Sequence, residues 1–147
     1  MKSCLFVQRI LTLDMEGVVT PEIWIAVATR TGIDELRVTT REEPDYQKLM
    51  DRRIAILDEH QLPLSLIRDV ISELEVLEGS RAFLDDLRQK YPVVLLSDTF
   101  EQFADEFIKQ LGYPHLLCHR LIVEGDLITR FVPRVEDAKR RAVLGYQ

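Results

Sequence analysis

Two short strand-like runs, each delivering an aspartate at its end, constrain this chain more than any other feature. The first spans Ile10 to Leu13 and ends on Asp14, with Gly17 turning the chain just beyond; the second, "VVLLSDT", spans Val93 to Thr99. Four consecutive apolar residues between helical stretches mark a strand buried on both faces, which points to a parallel sheet. The segment between the two runs is patterned for helices. Both aspartates therefore belong at the carboxyl edge of one sheet, the place where open α/β sheets bind ligands.

The intervening helices follow from period and punctuation. In "TPEIWIAVATRTG", Thr20 is expected as N-cap, Pro21 at the first helical position, Glu22 in the first turn and Gly32 as terminator. In "PDYQKLMDRRIAILDEH", Tyr46, Leu49, Met50, Ile54, Ile56 and Leu57 share one side when advanced 100° per residue, and Arg53 falls near the middle of that stripe. A guanidinium at the centre of a buried face requires an anionic partner, either a ligand or an internal acid such as Glu22. A third helix is expected from Ser65 to about Leu74, and a fourth is expected to be capped by Ser80 and to stop before Pro92. After the second strand come a helix from Glu101 to Leu111, two runs ("HLLCHRLIV" and "LITRFV") forming a β-hairpin around Glu124-Gly125-Asp126, and the opening of a last helix in "EDAKRRAVLGYQ".

At 147 residues and 46% apolar, the chain has material for one core carrying an insertion, not for two large independent domains. The net charge of −6 comes without a basic run or aromatic-basic interleaving, which argues against a nucleic-acid partner. Cys4 and Cys118 show neither paired spacing nor a surrounding His cluster, so both are expected as inert packing residues in a reducing cytoplasm. The N-terminal "MKSCLFVQRIL" is too short and too interrupted to span a bilayer, and no membrane partner is expected.

Three groups carry candidate chemistry, each with a plain alternative. Asp14 and Glu16, two apart past a strand end, suit a carboxylate nucleophile and a partly protonated acid beside it, or a pair of solvated turn carboxylates. Ser97, Asp98 and Thr99 suit an anion cradle at a strand-to-helix junction, or an N-cap for the next helix. Lys139, beside Arg140 and Arg141, suits a charge-neutralising role or a solvated basic face.

Taken together, "LDMEGVV", "LLSDTF" and "EDAKRRAV", in this order and separated by a helical insertion, resemble three motifs of the haloacid dehalogenase superfamily of phosphatases. The longer stretches "LDMEGVVTPEIWIAVATRTGIDEL", "TTREEPDYQKLMDRRIAILDEH" and "LLSDTFEQFADEFIKQLGYPHLLCH" resemble its bifunctional phosphoserine phosphatase/homoserine phosphotransferase branch, from Ile10 to the C-terminus. The resemblance implies an α/β fold: a Rossmann-like parallel sheet core at 1–19 and 79–147, a helical cap at 20–78 inserted after the first strand, and a β-hairpin. It implies that Asp14 becomes an aspartyl-phosphate and binds Mg²⁺. Glu16 would be general acid/base and lend its backbone carbonyl to the metal. Ser97, with main-chain N–H near Asp98, would hold phosphoryl oxygens, and Lys139 would neutralise charge developing on them. Glu22 would meet the substrate ammonium and Arg53 its carboxylate. The implied activity is hydrolysis of O-phosphoserine, with homoserine as a second phosphate acceptor.

The superfamily's fourth motif, a Gly-Asp followed by further acids that completes the Mg²⁺ site, has no counterpart here: the sequence ends at Gln147 within the helix carrying Lys139, and "EGD" at 124–126 falls in the hairpin turn. A C-terminally truncated core is the expectation, with weak Mg²⁺ binding and an uncovered sheet edge that favours a homodimer. The rival expectation is a catalytically impaired remnant that binds small phosphorylated amino acids or a partner chain.

Overall fold

In the computed structural model, which describes residues 9–146, the two runs that end on aspartate lie side by side. Strand β1 (Leu11–Leu13) leads through α1 (Ile23–Thr31), a 3₁₀ turn (Asp34–Arg37), α2 (Tyr46–Glu59), α3 (Leu64–Ser72) and α4 (Ser80–Arg88) to β2 (Val93–Phe100). Helix α5 (Glu101–Gln110), β3 (His115–Glu124), β4 (Leu127–Val132) and α6 (Ala138–Gly145) follow. The sheet has four strands in the order β1-β2-β3-β4, with β1 and β3 parallel to β2 and β4 antiparallel to β3. This is the α/β sheet expected from the strand pattern, with the hairpin grown directly from its third strand. Cys4 and nearly all of the N-terminal apolar patch lie outside the described residues.

The core explains which faces are apolar. Val27 and Ala28 of α1, Ile67 and Ile71 of α3, and Phe103 and Phe107 of α5 are buried with Leu95 and Phe100 of β2 in one cluster. Aromatic edges lock it: Phe100 meets Phe103 with ring centres 5.4 Å apart, and Phe103 meets Trp24 at 5.8 Å. The opposite face of the sheet is lined by Val94 and Leu96 and covered by Ala142 of α6. That docking brings the start of α6, and Lys139 with it, to the carboxyl ends of β1 and β2.

The starts of α1 and α4 differ from expectation, while α5 begins at Glu101 as expected. Helix α1 begins at Ile23 with Glu22 at the N-cap, not at Pro21. Thr20 is buried and its hydroxyl donates to the Met15 carbonyl at 3.3 Å, while its own carbonyl accepts from Gly17 N–H at 2.8 Å, so it closes the turn after β1. Ser80 is the first residue of α4, and the N-cap is Gly79, whose φ of 79° lies in the left-handed region open to glycine. Thr99 does not cap α5 either, because β2 continues to Phe100. Helix α3 is capped from a distance: Asp126, in the hairpin turn, accepts from Leu64 N–H through its carbonyl at 2.7 Å and from Ser65 N–H through its carboxylate at 3.1 Å.

Candidate active site

Asp14 is the first residue past β1, where strand pairing with β2 has just ended at Leu13 and Leu95. One carboxylate oxygen accepts from Met15 N–H at 2.8 Å; the other lies 2.8 Å from Lys139 Nζ. The same ammonium lies 3.0 Å from Asp98 Oδ2. Lys139 thus joins the acids at the tips of both strands. Partial burial alone favours its uncharged form, but the two carboxylates outweigh that and hold its pKa above the usual lysine value. For Asp98, partial burial pulls upward and is outweighed by His119 and Lys139, so it stays below the usual carboxylate range.

The Ser97-Asp98-Thr99 segment is set free by a slip in register. Leu96 pairs with Leu117, yet the next pair is Phe100 with His119, so β2 bulges over residues 97–99. Ser97 is buried there, and its Oγ accepts from Thr99 N–H at 3.2 Å. The Asp98 carbonyl accepts a hydrogen bond from the Tyr46 hydroxyl of α2, tying this edge to the helical layer.

Glu16 sits under that layer. Burial pushes its pKa up from 4.5 to about 7, against the lowering effects of Ile23 N–H, at 3.4 Å from Oε2, of the Thr99 hydroxyl and of the Arg53 charge. The Thr99 hydroxyl is buried and finds no partner with hydrogen-bond geometry among the described residues, so its influence on Glu16 is one of proximity. A carboxyl balanced near neutrality donates and takes back a proton with equal ease.

Arg53 is buried in α2, as the helical period requires, but no acidic side chain pairs with it among the described residues. Its guanidinium donates to the Val38 carbonyl at 2.9 Å and stacks over Trp24, 4.6 Å from the ring centre, and its Nε is buried without a partner. Burial lowers its pKa to about 10, still fully charged near neutrality. The internal ion pair to Glu22 is not formed.

One cavity of about 170 Å³ gathers seven of the sequence-derived candidates: Asp14, Glu16, Glu22, Arg53, Ser97, Asp98 and Lys139 line it, while Thr99 does not. Sequence reasoning missed Trp24, Thr39, Thr40, Tyr46 and Leu49 on the same wall. Tyr46 and Leu49 were legible only as members of an apolar stripe, and Thr39 and Thr40 carry no local signal. For a divalent cation the donor set is partial. Asp14 and Glu16 are present, but among the described residues no group of three or more His, Cys, Asp or Glu side chains converges, and Mg²⁺ prefers six oxygens in near-octahedral array. The residues here do not by themselves form that site. No helix among the described residues is long and apolar enough to cross a membrane.

No family model matches the chain. Among characterised proteins it is 52% identical over 140 residues to the phosphoserine phosphatase of Pseudomonas syringae pv. tomato, covering 95% of this chain and 59% of that protein. It is 50% identical over 140 residues to phosphoserine phosphatase ThrH of Pseudomonas aeruginosa, covering 95% of this chain and 68% of that protein. Solved structures share the fold. A substrate-bound phosphoserine phosphatase superimposes with a TM-score of 0.78 at 19% identity, over 95% of this chain and 70% of that one. A phospho-aspartyl intermediate analogue of phosphoserine phosphatase does so at 0.77 and 18%, over 94% and 70%. The chain therefore spans about three fifths to two thirds of the length of these two relatives, and at half-identity it belongs to the haloacid dehalogenase superfamily, in its phosphoserine phosphatase/ThrH branch.

Proposed function

We propose that this chain is a phosphomonoester hydrolase for O-phosphoserine, acting through an aspartyl-phosphate on Asp14. The observation that carries the reading is one small cavity holding a lysine-tethered carboxylate, a carboxyl with a pKa of about 7, and a buried arginine that no acid neutralises among the described residues. The substrate carboxylate supplies the anion Arg53 lacks, and Glu22 faces its ammonium. An Asp14 oxygen attacks phosphorus as the phosphorus–oxygen bond to serine breaks, and Glu16 gives its proton to the departing serine oxygen. Ser97 and the bulged backbone beside it hold the phosphoryl oxygens, while Lys139 offsets the charge growing on them. Glu16, now ionised, takes a proton from the incoming water; its oxygen attacks phosphorus, phosphate leaves, and Asp14 is restored. Homoserine in place of water would carry the phosphoryl group away instead, which product analysis with homoserine present will reveal.

Phosphoserine phosphatases of this superfamily are generally metal-dependent. Mg²⁺ held by the Asp14 carboxylate and the Glu16 carbonyl, with other oxygens completing the shell, would screen Asp14 from the phosphate dianion. We assign residues 20–78 the role of a cap over residues 1–19 and 79–147. We place the enzyme in the cytoplasm, where the half-buried Cys118 thiol, its pKa pushed up to about 11 by burial, stays inert. A second copy covering the outer edge of β1 would make a homodimer, tested by sedimentation.

The test of function is steady-state turnover of O-phosphoserine with Mg²⁺, parent against Asp14→Asn. Loss of about 10³-fold or more is expected for a missing nucleophile, and equal rates refute the assignment. The partial metal donor set among the described residues favours one second reading, a protein that binds phosphoserine without turning it over. Calorimetric binding in the absence of product would support it.

A further inference from the structure

His119 is buried in β3, at 5% exposure, and the mechanism above does not use it. Its ring is boxed by aromatic neighbours: Tyr46 at 5.6 Å between ring centres, and Phe100 and Phe131 each at 6.3 Å. Its Nδ1 accepts a hydrogen bond from Arg134 N–H at 3.1 Å. A backbone amide only donates, so Nδ1 is the unprotonated nitrogen and the ring proton belongs on Nε2. That Nε2 faces Asp98 Oδ1 at 3.5 Å, while the other Asp98 oxygen holds Lys139.

We propose that His119 is a positioning residue for the phosphoryl-transfer site: its Nε2–H orients the Asp98 carboxylate, which in turn holds the Lys139 ammonium against Asp14. The proposal rests on the function assigned above for its catalytic consequence, but its structural content stands apart. Asp98 projects from a bulge with no ladder partner at that position, so its own strand does not fix its carboxylate. Two contacts do, His119 on one oxygen and Lys139 on the other. Lys139 comes from a long flexible side chain, and losing Asp98's fixed orientation lets it swing from Asp14 into solvent. The chain of contacts Asp14, Lys139, Asp98, His119, Arg134 N–H thus runs from the reacting carboxylate to the backbone following β4.

The experiment uses the full chain with three substitutions. His119→Leu removes both ring functions, His119→Gln keeps a donor near the Nε2 position, and His119→Asn keeps an acceptor near Nδ1. Long-range ¹H–¹⁵N spectra of the parent are expected to show the Nε2–H tautomer. The Lys139 ammonium signal, sharpened by its two carboxylates, is expected to broaden in the Leu and Asn variants and to survive in Gln. In turnover, Leu and Asn are expected to lose about 10-fold or more in kcat with KM within about twofold, and Gln to recover most of it. A parent in the Nδ1–H tautomer, an unchanged Lys139 signal in a folded Leu variant, or equal losses in Gln and Leu would overturn the proposal. If the parent shows no turnover, the assigned function fails for this chain while the two spectra still decide the positioning role.

Discussion

Replacing Glu16 by glutamine is expected to stabilise the protein while disabling it. In the folded chain burial holds this carboxyl at about 7, against 4.5 for a free one. An acid whose folded pKa is raised contributes its stability below the unfolded value and loses it as pH climbs through the folded value, because between the two the folded state binds the extra proton. The interval, at about 1.4 kcal/mol per pH unit, amounts to about 3 kcal/mol, and to about 2 kcal/mol once the residue's partial solvent access is allowed for. Glutamine keeps an acceptor for Ile23 N–H and carries no charge to bury. For a chain of this size the variant's Tm should exceed the parent's by about 4–8 °C at pH 8.5, shrink through pH 7 and vanish near pH 4.5. Turnover should fall by about 10²–10⁴ for want of a proton donor. Calorimetric melts across that pH range, with activity measured on the same samples, make the test. A Tm difference independent of pH, or a parent more stable than the variant at pH 8.5, would refute the claim that burial sets this proton.

Arg53→Lys removes the stack over Trp24 and the planar fork that meets a carboxylate; KM for O-phosphoserine should rise about 10-fold or more with kcat little changed, as steady-state kinetics will show. Asp126→Ala withdraws the carboxylate that accepts from Ser65 N–H, and should cost about 1 kcal/mol in a urea titration while leaving α2 and the cavity wall it forms in place.

What the sequence revealed is what local pattern controls. The apolar runs before Asp14 and Ser97 and the period that buries Arg53 all depend on neighbours within a few positions, and each is found where expected. Capping of α1 was misread because Thr20 looks like any N-cap until the turn after β1 takes its hydroxyl. The α3 cap was out of reach for a different reason: Asp126 lies 61 positions from Ser65, and no local rule links them. Trp24 was missed because its role as a face for Arg53 exists only after α1 and α2 are packed together. His119 gave no signal, being one polar residue in a strand whose register slip cannot be read from either strand alone.

The bond between Lys139 and Asp14 joins positions 125 apart in the chain. A nascent polypeptide emerging from the ribosome presents Asp14 well before the lysine that pairs with it, so the first strand's tip waits through 125 positions of synthesis for its counter-charge. The contact between the two strand tips and the start of α6 therefore forms only after the segment between them has been synthesised and folded back on the sheet.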